Sequence, residues 1–303
     1  MRETRGKRGF VTIATGKKQY YILAWNLMRS YRHFAQESLP FAIIADRENE
    51  YTKDFDDVIL ISDSSNNYND KLKLFRELPY DETIFIDADS LAYADLNIWW
   101  DIFSQAGDFS LFGYAWRDLN CGRGWFIPSG MKEYKDSIKF IPDFNGGVYY
   151  MRNTEACKKV FDIANCCAEH YHDYSFNGFK DAADEPVLAL GMAVCGFEPI
   201  DKSGELVFAP QKKKLDADIS APHAVYHQTA EKSYPVRLIH FSNYRTQLSF
   251  YQNEVIKLNK IIGGKNGLLY EIPNNIRYLI LQIHDIIPFT KRVVRKVKRT
   301  LHL

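Results

Sequence analysis

Two aspartates separated by one small residue close an apolar run, Thr83-Ile84-Phe85-Ile86-Asp87-Ala88-Asp89. Strand side chains alternate with period two, so a strand that buries Ile84, Phe85 and Ile86 is expected to emerge with Asp87 and Asp89 on one side. Like charges so close repel unless a cation or hydrogen-bond donors sit between them. The chemistry this suits is capture of a divalent metal that also holds a nucleotide diphosphate. The plain alternative is a polar turn after a strand. His240, delivered by the short apolar run Val236-Arg237-Leu238-Ile239, is the candidate third ligand, and its nitrogen would favour manganese over magnesium or calcium. An ordinary packing role is the alternative for any one of the eight histidines.

The elements that must position these residues are legible upstream. Phe10 to Ala14 reads as a buried strand, Thr15-Gly16 as the turn leaving it, and Ala24, Leu27, Met28, Tyr31 and Phe34 recur at helical spacing. Phe41 to Ala45, ending at Asp46, and Val58 to Ile61 read as the next strands, and a helix is expected from Asn69 to Leu78. Alternating strands and helices imply a mostly parallel sheet covered on both faces, with ligands beyond the carboxyl ends of its strands. From Trp116 to Asp143 periodicity is lost among glycines, prolines and aromatics, the pattern of a binding loop. Phe144 to Met151 reads as a strand entered through the pair Gly146-Gly147, which lets backbone approach a ligand. Helices are expected from Thr154 to Tyr171 and after Asp184-Glu185-Pro186.

The 303 residues are 46% hydrophobic and 25% charged, a globular composition that excludes a wholly disordered chain. A net charge of +1 gives no global field for nucleic acid, and none is expected as a partner. Cys121, Cys157, Cys166, Cys167 and Cys195 form an odd set without CxxC spacing, which argues against a disulfide framework or zinc ribbon and for a reducing compartment.

Lys71, Ile86 to Leu91, Phe144-Asn145-Gly146-Gly147-Val148, Asp184-Glu185 and His240-Phe241 together resemble the ordered motif set of glycogenin and its relatives, the retaining family 8 glycosyltransferases of GT-A fold. The similarity runs from Phe10 to Arg245. It implies Mn2+ (or Mg2+) on Asp87, Asp89 and His240, holding the diphosphate of a nucleotide sugar, usually UDP-linked. It further implies that Lys71 contacts the donor, that Asn145 and Gly146 lie against the donor sugar, and that Asp184 faces its reacting carbon. A helix cap is the structural alternative for Asp184. Ala14, Thr15, Tyr20 or Tyr21 would hold the nucleoside, with Asp46 and Ala88 beside it. The chain departs from the family where His240 is followed by Ser242-Asn243-Tyr244-Arg245 instead of glycine and lysine. Arg245 is the candidate replacement phosphate clamp. Glu185 stands where relatives often carry glutamine.

The expected architecture is α/β: a Rossmann-like GT-A catalytic domain over 1–262 and a linker with a basic amphipathic helix over 263–303. After Pro288, Phe289, Val293, Val294, Val297 and Leu301 share one helical face while Lys291, Arg292, Arg295, Lys296, Lys298 and Arg299 fill the rest. Such a helix can lie on an anionic membrane; RNA binding or docking on a partner subunit are its alternatives. The expected enzyme is cytoplasmic, peripheral to the inner membrane face, and acts on a glycan or lipid-linked saccharide; a homo-oligomer is compatible with the sequence. A nucleotidyltransferase, which would want a glycine-rich basic loop where Thr15-Gly16-Lys17-Lys18 stands, and a catalytically silent scaffold are the rival readings.

Overall fold

The structure, a computed structural model, describes residues 6–202, 204–208, 214–221, 223–229, 231–242, 245–246 and 249–263. The predicted basic helix after Pro288 lies outside the described residues. No described helix is long and apolar enough to cross a membrane.

Strand β1 (Arg8–Ala14) is central because nearly all of its side chains are buried, as a strand covered on both faces requires. It pairs in parallel with β2 (Phe41–Ala45) and β4 (Glu82–Ile86), and β2 pairs in parallel with β3 (Asp57–Leu60). Period-two alternation divides the core in two. Phe10, Ala14, Phe41, Ile43, Ile84 and Ile86 face one side, packing with helix α1 (Lys18–Phe34); Val11, Ala42, Ile44 and Phe85 face the other.

Strand β5 (Ser90–Ala92) follows the acids, and helix α2 (Trp99–Ser104) leads to β6 (Phe109–Ser110). A two-stranded ladder of β7 (Gly113–Trp116) and β8 (Ile141–Phe144) brackets the irregular segment, and β9 (Val148–Arg152) returns antiparallel to β4. The main sheet thus runs β3-β2-β1-β4-β9-β6. Helices α3 (Glu155–Glu169) and α4 (Asp184–Cys195) pack on its second face. Thr154 caps α3 by accepting from the Cys157 N–H.

The remaining strands are β10 (Leu206–Phe208), β11 (Leu215–Asp218), β12 (His223–His227), β13 (Ser233–Pro235) and β14 (Leu238–His240), with helix α5 (Ser249–Ile262) last. The order β10-β14-β5 decides the site, because β14 pairs antiparallel with β5 and sets His240 opposite Ser90.

Three expectations differ from the structure. The helix expected from Asn69 is a short 3-10 turn over Tyr68–Lys73, because the Asp70 side chain turns inward to bind Thr15, Ser64, Ser65 and the Asn66 N–H. The third strand is Asp57–Leu60 and leaves Ile61 buried beyond its end. The strand expected from Phe144 to Met151 is interrupted at Asn145-Gly146-Gly147, which makes it two strands with different partners.

Candidate active site

The acids converge by a turn and not by strand alternation. Ile86 is the last residue of β4, and the Ser90 N–H donates to the Asp87 carbonyl at 3.1 Å as β5 begins. Ala88 turns into the core and is 5% exposed, so only its backbone faces the site. Two backbone bonds fix the turn from outside, Asp87 N–H to Gly147 O and Phe241 N–H to Asp89 O, both 2.9 Å.

His240 Nε2 lies 2.8 Å from Asp89 Oδ1 and 3.6 Å from Asp87 Oδ2. One ligand atom from each of the three residues falls within 4.8 Å of the others, the only such group among the described residues. Asp89 Oδ1 is buried and has no well-directed hydrogen bond, despite the nearby imidazole. A buried carboxylate oxygen in that condition fits a bound cation. The other ring nitrogen, Nδ1, lies 2.7 Å from Asn145 Oδ1, which assigns it a proton, so Nε2 is the nitrogen that would present a lone pair to a cation once its own proton is lost. Asn145 Nδ2 in turn donates to Glu185 Oε1 at 3.0 Å, as does the Gly146 N–H at 2.7 Å.

Lys71 enters from the 3-10 turn, with its side chain 12% exposed. Its ammonium contacts Asp87 Oδ2 at 2.8 Å, Asp184 Oδ2 at 3.1 Å and the Gly146 carbonyl at 3.1 Å. Burial alone would lower its pKa, but Asp184 and Asp87 outweigh that and raise it well above the ordinary range. It is therefore a fixed cation, not a solvated lysine. Burial raises the Asp87 pKa. For Asp89 burial acts the same way, but the charge of His240 outweighs it and the net direction is down. His240 is raised, because its carboxylate neighbours, Asp89 foremost, overcome the effect of burial. Burial, with Asp184 adding to it, pushes Glu185 up to about 7.

Asp184 is not a helix cap. Ala183 holds the N-cap position, while Asp184 points across to Tyr149, whose hydroxyl donates to Oδ2 at 2.6 Å. Gly146 and Gly147 permit this crowding. A Cβ on Gly146 would lie 2.5 Å from the Tyr149 hydroxyl and 2.8 Å from Asp184 Oδ2, and one on Gly147 would lie 2.7 Å from His240 Nδ1.

Beside this cluster, the turn after β1 carries the residues expected to meet the nucleoside. Gly16 has φ +74, and a Cβ there would strike the Asn66 side chain at 2.6 Å. Its N–H donates to Asp46 at 3.2 Å, and Asp46 also accepts from the Tyr21 hydroxyl. Of the two tyrosines, Tyr21 is buried and bound to Asp46, while Tyr20 is 42% exposed. Ala14 is core. Thr15 is buried and donates to Asp70 at 3.0 Å. Lys18 pairs with Glu50, so its ammonium is engaged away from the Gly16 turn. The Arg245 N–H donates to the Ser242 carbonyl at 3.4 Å, five residues past the imidazole.

Sequence reasoning missed Tyr149 and the part Asn145 plays in orienting His240. A signal existed for Tyr149: alternation along β9 puts it with Met151 on the face covered by α4. Nothing in the sequence paired Asn145 with a residue 95 positions away.

No protein-family model matches the chain, and no curated protein matches it. Among solved structures, the bifunctional glycosyltransferase WbbM superposes with a TM-score of 0.51 at 11% identity, over 85% of this chain and 50% of that one. The chain thus spans about half the length of WbbM. The fold is that of the GT-A glycosyltransferases. The galactosyltransferase LgtC, solved with donor and acceptor sugar analogues, gives 0.48 at 15% identity over 77% of this chain and 87% of that one. Mouse xyloside xylosyltransferase 1 gives 0.46 at 10% identity over 78% and 97%.

Proposed function

We propose that the chain is a metal-dependent glycosyltransferase that moves a sugar from a nucleotide sugar, UDP-linked by preference, to a saccharide or lipid-linked saccharide acceptor. The observation that carries this reading is the meeting of Asp87, Asp89 and His240 with Lys71 and Asp184 beyond the carboxyl end of β4 in a glycosyltransferase fold. A divalent ion, Mn2+ or Mg2+, bound by Asp87, Asp89 and His240 would act as a Lewis acid on the leaving diphosphate.

The chain's own residues supply the rest. Lys71 adds a fixed positive charge beside Asp87, where negative charge develops as the glycosidic bond breaks. Asn145 holds the proton of His240 Nδ1 and so presents Nε2 as a ligand. Asp184, held by Tyr149 and Lys71, faces the donor sugar. Thr15, with the Gly16 turn, receives the nucleoside. Arg245 is assigned to the diphosphate. Attack on the same face, with retained anomeric configuration, follows the resemblance. The segment 263–303 holds the enzyme to an anionic membrane surface.

Calorimetry with UDP in the presence and absence of Mn2+ tests the centre of this reading. UDP binding that needs manganese and disappears in Asp89→Asn is expected; equal binding without metal overturns it. A thermal-shift screen of nucleotide sugars with manganese then selects the donor, since a ligand that binds only the folded state stabilises it. NMR of the first product reads the anomer, and an inverted product refutes retention.

A further inference from the structure

Among the aromatic residues of the irregular segment, Phe126 is 1% exposed, and Trp116 is tied to Asp143 by a 2.9 Å hydrogen bond and covered by Arg123 at 4.7 Å. Phe126 offers no ring face to a sugar, and one face of Trp116 is already taken. A different group offers a larger surface. Tyr68, Phe179 and Trp125 come from three separate segments and meet in a bent row, with centroids 6.0 Å apart for Tyr68 and Phe179 and 5.7 Å apart for Phe179 and Trp125. The rings are inclined at 51° and 33°, so they do not close into a stack. Tyr68 is 46% exposed, while Phe179 and Trp125 are half-buried, packed at the edge of the core.

The row is anchored from behind. Trp125 Nε1 donates to the Phe144 carbonyl at 3.0 Å, and the Asn177 N–H donates to the Trp125 carbonyl at 2.8 Å. Tyr171 donates to the Phe179 carbonyl at 3.3 Å. Gly178 has φ +87, and a Cβ there would lie 2.8 Å from the Trp125 ring. This backbone is fitted to hold that indole in place.

The row also leads to the reacting groups. Trp125 packs edge-on against Phe144, the residue before Asn145, and Phe144 packs edge-on against Tyr149, which holds Asp184. Tyr68 opens the 3-10 turn that carries Lys71. Contiguous apolar rings that reach the surface mark a binding site, and a pyranose presents a face of C–H groups suited to ring π-surfaces.

We infer that Tyr68, Phe179 and Trp125 form the acceptor platform, receiving the C–H face of the pyranose to be glycosylated. The inference rests on the transferase reading above and names the substrate surface of that site. It assigns acceptor selection to three rings from separate parts of the chain instead of to the irregular segment alone.

Saturation-transfer NMR on the full chain with Mn2+ and UDP tests it, using methyl β-glucopyranoside, methyl β-galactopyranoside and methyl α-mannopyranoside as probes. Saturation of the ring protons of one face is expected for at least one glycoside. It should fall about tenfold in Trp125→Ala and Phe179→Ala, with a smaller fall in Tyr68→Ala, while Trp116→Ala matches the parent. Calorimetry of Mn2+ with UDP on the same variants is expected to be unchanged, and it also separates the two claims. If the parent fails to bind UDP with manganese, the transferase reading falls and this inference with it. If UDP binds normally, three outcomes overturn the platform alone: no glycoside is saturated, saturation survives the ring deletions, or the deletions weaken UDP instead.

Discussion

At the scale of single residues, the hydroxyl of Tyr149 is a decisive atom. It shares Asp184 Oδ2 with Lys71, so it sets how that carboxyl group is turned. In Tyr149→Phe the ring still stacks on Phe85 at 5.6 Å, so the fold is expected to survive. A buried hydrogen bond to a carboxylate is worth about 1.5–3 kcal/mol, so sugar transfer should slow by roughly 10–100-fold. Steady-state kinetics beside UDP calorimetry checks this, since a fall in kcat without loss of UDP affinity is the expected signature. Glu185 gives a second prediction. Its folded pKa of about 7 lies above the ordinary 4.5, so the folded state holds the proton more tightly than the unfolded chain. Stability from this group is then full below pH 4.5 and falls as pH rises through 7, by at most about 3 kcal/mol. In Glu185→Gln the acceptor oxygen for Asn145 and Gly146 is kept and the titration removed. Urea melts from pH 5 to 8 should therefore show a flatter profile in the variant.

At the scale of elements, the turn that carries Lys71 depends on Asp70, which is 1% exposed. Burial alone would raise its pKa, but hydrogen bonds led by Ser64 and Ser65 outweigh this and hold it at about 2. A carboxyl group depressed from 3.8 contributes stability above that value and loses it as pH falls through 2, on the order of 2 kcal/mol. Asp70→Ala takes from Thr15 and the Ser65 N–H the carboxylate they donate to. It is expected to cost about 3 kcal/mol in a urea melt, and UDP should weaken as the turn loosens. Gly147→Ala should act on the metal instead, because its Cβ would push His240 aside; manganese affinity falls while UDP-free stability changes less. This scale also marks where the sequence was readable. The apolar runs of β1, β2 and β4 follow from burial on both faces of the sheet and the helical spacing in α1 from burial of one face, so run and period declare these elements. The 3-10 turn at Tyr68 was not readable, because a tertiary hydrogen-bond cluster around Asp70 overrides helical spacing there. Nor was the true reason that Asp87 and Asp89 converge, a turn held by the remote carbonyl of Gly147 and amide of Phe241.

At the scale of the whole molecule, the site unites residues 71, 87, 89, 145, 184 and 240, and the pairing of β14 with β5 is what carries the last of them to the rest. Motif order along the chain was enough to nominate these residues. Their mutual orientation came from sheet topology, which spacing does not encode. The full chain should pellet with vesicles rich in anionic lipid and a chain truncated before Pro288 should not; equal pelleting of the two would remove the membrane assignment. Because His240 reaches Asp89 only after the strand bearing it has been synthesised and has zipped onto Ser90 to Ala92, a nascent polypeptide emerging from the ribosome would assemble the Gly16 turn and the Asp87 turn long before the imidazole joins them. The three-residue cluster would close late in biosynthesis, and a half-made chain would hold two carboxylates without their nitrogen neighbour.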